Sequence, residues 1–405
     1  MYPHPKLNSF LQTCNPDLSA KILDRVVERG YVQTLKTEAT KSKFPLSRLR
    51  TAQPQCFAPD VDVTRSKCAF GPYALPQLKK ELENCDPLIV RQAVTTLGDL
   101  LIDPAKSIEA IGLGIVDELS SFLVSKDPYL RERVAMIYST IANQNAGRTA
   151  ITENFDILSN LLKALGDKFA AVRLKVALAV ETLAQEPNAA DLMITCGFLE
   201  VIVKSVCEEK KEVLIVHLDT LRWLTQRDAA RAIEDGLFEK LASLLENVDE
   251  ERVLRGALIC MKNLCECPTG KQRANDADLL KTLKRYIYDK REHLLVEAVR
   301  VASFVTITTK GKLRALELEM MNRLLYLATG RKKKGCRCCG DHDNDDDDML
   351  LLAILKTVTN IAEAPEARKQ LFQEYQGLIE NLDVGESELL HRHRQILLDV
   401  VRWRP

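Results

Sequence analysis

Apolar residues through the body of the chain recur three or four positions apart, the spacing that lines one face of an α-helix. The helical segments so defined share an ending of polar, aliphatic and small residues: DLL from Asp99, TIA from Thr140, TLA from Thr182, WLT from Trp223, NLC from Asn263, FVT from Phe304 and NIA from Asn360. The first residues of these endings lie 41, 42, 41, 40, 41 and 56 positions apart, and the last interval returns to about 40 once an insert at 331–348 is subtracted. Six residues before each marker stand Ala93, Val134, Val176, His217, Ala257, Ala298 and Ile354, and the residue after each marker is Leu, Ile or Val. Both columns are predicted to be core. A second helix in each copy ends in patterns such as GIVDELSSFL from Gly114, GFLEVIVKSV from Gly197 and GLFEKLASLL from Gly236. The glycine ahead of it allows a tight interhelical turn, and Asp86-Pro87 and Asp127-Pro128 open the following helices with a proline whose φ is already helical.

No alternating strand pattern competes with this reading. A period of about 40 residues, with two or three helices per copy, predicts an all-α, right-handed solenoid of armadillo or HEAT type with about seven repeats, whose copies bury their faces only against neighbours. The solenoid is expected over 73–405. Residues 1–72 form an N-terminal extension with one expected amphipathic helix, from Pro16 to about Leu35, in which Leu18, Ile22, Val26 and Val27 share a face; the rest of it reads as a linker. The insert RKKKGCRCCGDHDNDDDD, 331–348, has basic then acidic runs that do not pack, and is expected to be a mobile surface loop.

Composition adds exclusions. Of 405 residues 46% are hydrophobic and 28% charged, enough apolar material for an extensive core. With 57 basic and 57 acidic residues no global field draws the chain to nucleic acid or to an anionic membrane. The apolar run from Met349 to Leu355 is far short of the roughly 20 residues that span a bilayer, and the start MYPHPKLNSF carries no secretory pattern. Twelve cysteines, several inside apolar patterns (Cys207, Cys260, Cys265), read as free thiols of a reducing compartment. No nucleophile elbow, zinc-protease helix, phosphate loop or kinase signature occurs, so no catalytic residue, cofactor or small-molecule substrate is expected. Cys336, Cys338, Cys339 and His342 crowd into seven residues rather than two separated pairs, and are read as a solvated loop with reactive thiols instead of a zinc set. The acidic tract Asp341 to Asp348 lacks the central glycine and closing glutamate of a calcium loop. His217, in a column otherwise filled by Ala, Val and Ile, is expected to be a hydrogen-bonded core histidine, and His391 and His393 a polar surface.

The remaining candidate is a groove. In solenoids of this class the last helix of each copy lines the inner face, and nuclear-import adaptors grip peptide backbones there with an asparagine at the marker and a tryptophan one turn earlier. Here only Asn263 and Asn360 are asparagines; the other markers are Asp99, Thr140, Thr182, Trp223 and Phe304. Four residues earlier stand Thr95, Met136, Leu178, Asp219, Ile259, Arg300 and Lys356, with no tryptophan, so import of basic signals is disfavoured. Trp223 and Phe304 with Met136, Leu178 and Ile259 are expected to make an exposed apolar strip that buries a protein segment, because aromatic anchors dominate interface energetics. A register slip of one residue would instead turn those aromatics into the core, since each residue advances a helix by about 100°.

The segments LPQLKKELENCDPLIVRQAV (75–94), TKGKLRALELEMMNRLL (309–325), TNIAEAPEARKQL (359–371) and the closing VVRWRP resemble the radial spoke head 14 homolog family of armadillo-repeat proteins from motile cilia and flagella. The likeness runs from about residue 69 to the last residue, with 331–348 as a departure. It implies a non-catalytic scaffold of the axonemal radial spoke, located in the cytoplasm and the ciliary cytoskeleton, that binds other radial spoke proteins and supports motility. A soluble adaptor for assembly or transport of ciliary components is the alternative. The family supplies no catalytic or metal-binding motif.

Overall fold

The computed structural model describes residues 74–330 and 342–403, with side chains for all of these except 342–346. The extension at 1–72, with its expected helix, and the loop residues 331–341, with Cys336, Cys338 and Cys339, lie outside the described residues, as does the side chain of His342. Every element described is helical. Eight long helices form a ladder: α1 (Pro87–Leu100), α2 (Pro128–Ala142), α3 (Ala170–Ala184), α4 (Lys211–Arg227), α5 (Glu251–Glu266), α6 (Glu292–Val305), α7 (His342–Ala362) and α8 (Glu388–Arg402). Each packs on the ladder helix before it and the one after it. Between successive rungs lie two shorter helical segments, for example Asn145–Glu153 and Phe155–Ala164, or three in the first and last intervals, so seven repeat units follow an opening pair, Ala74–Leu82 and α1. The fold is an armadillo-type helical-repeat solenoid, as the period predicts.

The local chemistry behind this regularity is visible at each helix start. Asp86 and Asp127 cap α1 and α2, accepting from the amides of Leu88 at 2.9 Å and Tyr129 at 3.0 Å, with the prolines at the first helical position. Gly114, Gly197 and Gly236 take left-handed φ values of 73°, 90° and 84° at the turn into the second helix. In the next two units the same position is held by Asp278 (φ 48°) and Glu319 (φ 57°). Gly270 serves a different need: a Cβ there would lie 1.8 Å from the carbonyl oxygen of Leu264, where the end of α5 passes the start of the following helix.

The core runs the length of the ladder. Ala93, Val134, Val176, His217, Ala257, Ala298 and Ile354 are all buried, and so is the residue after every marker except Leu100, which is partly covered. Neighbouring rungs are also tied by ion pairs. Arg131 on α2 pairs with Asp167 and donates to the Ser125 carbonyl at 2.7 Å, and Arg173 on α3 forks onto Glu209 at 2.7 and 2.9 Å. Nine residues before the markers of α4, α5 and α6 the same column holds buried Leu214, Leu254 and Leu295. Rungs α2 and α3 thus use arginine–carboxylate pairs where α4 to α6 use leucine.

Three expectations change. Helix α7 begins at His342, inside the segment expected to be a loop; an acidic sequence suits the positive end of a helix, so the Asp tract is compatible with helix initiation. Cys260 and Cys265 are buried, their thiols pushed up by desolvation (Cys265 to about 12), whereas Cys207 is exposed in the turn after Phe198–Ser205. The eighth rung, α8, lacks the shared ending and therefore escapes the marker column. Among the described residues no helix is long and apolar enough to cross a membrane.

Candidate protein-binding face

At 100° per residue, the positions four and eight before a marker lie about 40° and about 80° round the rung from it, and on α2 to α5 they form an outer crest of half-buried and exposed residues. That offset decides what each predicted site residue does. Asp99 is exposed near the end of α1; Met136, Thr140, Leu178, Trp223, Ile259, Phe304 and Asn360 are half-buried; Thr182 and Asn263 are buried. Trp223 and Phe304, expected to stand exposed, pack their inner edges against the core and show only their outer edges. The Arg222 guanidinium lies 5.0 Å over the Trp223 ring.

The two asparagines face sideways into the seam between rungs. Asn263 donates through Nδ2 to the Arg222 carbonyl at 2.9 Å and to Thr225 Oγ1 at 3.0 Å, both on α4. Asn360 repeats this on α6, with the Ser303 carbonyl at 2.8 Å and Thr306 Oγ1 at 3.3 Å. An amide nitrogen has two hydrogens, and both are consumed. The pattern has a two-unit period: a rung ending W-L-T or F-V-T is followed by one whose marker is asparagine, and the threonine of the first receives the asparagine of the second. The threonine markers bond within their own helices, Thr140 donating to the Met136 carbonyl at 3.1 Å and Thr182 to the Leu178 carbonyl at 2.8 Å.

On the crest of α4 and α5 a charged group appears that the marker column does not reveal. Asp219, Arg222, Arg252 and Arg255 are all exposed there. Partial burial and nearby Glu181 raise the Asp219 carboxyl above its ordinary range, while Arg252, Arg222 and Arg255 oppose that shift. Three guanidinium groups against the carboxylates of Asp219 and Glu181 leave a local excess of one positive charge, and Lys356 is exposed on α7. The crest columns, compared across copies, carry this signal; Asp219, Arg300 and Lys356 already stand out in the column four before the marker. Arg300 itself is engaged by Glu297 at 2.9 Å.

His217 sits behind this face as a buried core residue. Its Nδ1 lies 3.1 Å from Ser205 Oγ, and burial lowers its pKa to about 4, so the ring is neutral at physiological pH. His391 is exposed and meets the Gly385 carbonyl at 3.0 Å. His393 is half-buried, its pKa lowered by burial, then by Lys356 and Arg392.

No protein-family model matches the chain. Solved structures similar to it are helical-repeat proteins. A crystallised engineered protein is similar over 82% of this chain and 79% of its own, with TM-score 0.70 and 18% identity. A designed armadillo repeat protein is similar over 57% of this chain and 99% of its own, with TM-score 0.52 and 19% identity. Another, in complex with the peptide (KR)4, is similar over the same shares with TM-score 0.53 and 20% identity. These likenesses place the chain in the armadillo-repeat fold.

Proposed function

We propose that this protein is a non-catalytic armadillo-repeat scaffold of the axonemal radial spoke, holding other spoke proteins against the ladder face. The observation that carries protein binding is the face itself: half-buried Trp223 and Phe304, with Leu178 and Ile259, present apolar edges beside an exposed arginine cluster. Amphipathic anchors of that kind supply most of the energy of a protein interface. One structural neighbour binds a (KR)4 peptide; here Arg222, Arg252, Arg255 and Lys356 would repel such a ligand, so protein binding carries over and the basic peptide does not. The radial spoke assignment rests on the four sequence blocks. They fall on Ala74–Leu82 with α1, on Thr309–Glu317 with Met320–Thr329, on the end of α7 with Pro365–Gln370, and on the end of α8.

The test is endogenous tagging in motile ciliated cells or sperm, followed by detergent extraction, salt release of axonemes and mass spectrometry of co-purifying proteins. Retention with radial spoke proteins is expected. A pool that leaves entirely with detergent, together with chaperones or transport proteins, would replace the spoke scaffold with a soluble adaptor.

A further inference from the structure

The hydrogen-bond inventory of the ladder face narrows what it can hold. An extended segment brings a row of backbone N–H and C=O groups that need partners once buried. The side-chain amides suited to pair with them are Asn263 and Asn360; both spend their two hydrogens on the preceding rung, and the unpartnered Asn263 Oδ1 is itself buried out of reach of a ligand. The other markers offer a carboxylate, two hydroxyls whose hydrogens are held by carbonyls of their own helices, and two aromatic rings. An α-helix arrives with its backbone already satisfied and asks only for apolar and charged contacts.

The spacing of those contacts is set by the ladder. Leu178 on α3 and Trp223 on α4 occupy adjacent rungs, as do Ile259 on α5 and Phe304 on α6. Two helix-packing steps of roughly 8–10 Å separate one apolar pair from the other, about 16–20 Å in all. The two inner rungs, α4 and α5, also carry Arg222, Arg252 and Arg255, which outnumber the Asp219 and Glu181 carboxylates they act on. The footprint is apolar, basic, apolar. A helix rises about 1.5 Å per residue, so residues i and i+11 lie about 16.5 Å apart and return to one face after three turns, with i+4 and i+7 between them on that face.

We infer that the ladder face from α3 to α6 binds an amphipathic helix of a partner protein, with large apolar residues at i and i+11 seated at the Trp223 and Phe304 edges and carboxylates at i+4 and i+7 on the arginine cluster. The inference rests on the protein-binding reading above and deepens it.

The probe is a fluorescein-labelled, alanine-rich helical peptide of about 20 residues with Phe at i, Leu at i+11 and Glu at i+4 and i+7, titrated against the full chain by fluorescence anisotropy. Three control peptides carry proline at the centre, lysine in place of the two glutamates, or the second apolar residue moved to i+9. Binding in the micromolar range is expected, at least tenfold weaker for every control and progressively weaker with added salt. On the protein side Arg255→Glu, at an exposed position where folding is not at stake, is expected to lose tenfold or more. Trp223→Ala with Phe304→Ala is expected to lose at least as much with unchanged far-UV circular dichroism. Equal binding of the proline and helical peptides, both lost in the aromatic double variant, would overturn the helix and leave the face intact as a site for extended segments. Binding indifferent to both sets of protein substitutions would overturn the face itself. No binding of the acidic helix at 100 µM would overturn the inference.

Discussion

A single position shows how an identical fold role is met by opposite chemistries. Nine residues before the marker, Arg131 and Arg173 pair with carboxylates while Leu214, Leu254 and Leu295 simply fill space. The Arg131–Asp167 pair is nearly covered, with both side chains 8% exposed. Removing one partner of a buried pair strands the other, typically at about 3–5 kcal/mol, whereas replacing both by apolar groups is often close to neutral. Arg131→Leu is therefore expected to destabilise by about 3 kcal/mol, and Arg131→Leu with Asp167→Leu to recover much of that loss, read from urea midpoints. His217 provides the second residue-scale expectation. Its folded pKa of about 4 lies below the unfolded value near 6.5. The unfolded chain therefore binds more protons between those limits, so the stability associated with neutral His217 is complete above about 6.5 and is lost as pH falls toward 4. Between pH 7 and pH 5 this amounts to about 2 kcal/mol. His217→Leu, suited to its apolar column, is expected to flatten the urea-midpoint profile across that interval, and an unchanged slope would refute the assignment. That His217 is core was legible from its column; that Asn263 faces the seam was not, because the spacing gives the 40° between two columns but not which of them faces outward.

At the scale of the element, the caps and turns were the most legible part of the chain, because each uses a residue with one physical virtue. Asp–Pro starts α1 and α2 by pairing a capping carboxylate with a preset φ, and Gly114, Gly197 and Gly236 accept φ values that cost other residues strain. Around Gly197 nothing lies within 4 Å of an added Cβ, so Gly197→Ala measures backbone strain alone. It is expected to cost about 1 kcal/mol in a urea titration. In the other direction, Glu319→Gly relieves a left-handed glutamate and is expected to be neutral or stabilising by a few tenths of a kcal/mol. The start of α7 was not legible in the same way. Its charged run reads as loop by composition, yet acidic residues are favourable at a helix start, and composition alone does not distinguish the two. The last rung, α8, falls within the expected solenoid, but its ending departs from the marker that organised the others, so the marker column does not reach it.

The molecule as a whole is a chain of neighbours. Substantial packing links only elements of the same or adjacent units, so stability should distribute as unit terms plus nearest-neighbour interfaces instead of one global core. This architecture was predictable from the forty-one-residue period, since no unit with one apolar face per helix closes its own core. Gly270 allows the consequence to be tested. A methyl group there meets the Leu264 carbonyl oxygen at 1.8 Å, and because that atom belongs to backbone, the clash can be relieved only by separating α5 from the helix Pro268–Asp276. Gly270→Ala is expected to cost about 1–3 kcal/mol, concentrated at that junction. Hydrogen exchange followed by mass spectrometry should show faster exchange in α5, Pro268–Asp276 and α6, while α1 and α2 keep wild-type protection. Equal acceleration along the whole ladder would mean that the rungs unfold as one cooperative block. A local response would mean that the arginine cluster and the Trp223 and Phe304 edges, carried on rungs α4 to α6, can be loosened as a group. Peptide binding to Gly270→Ala would then weaken while the opening rungs remain folded, a combination that a single-core protein of this size does not permit.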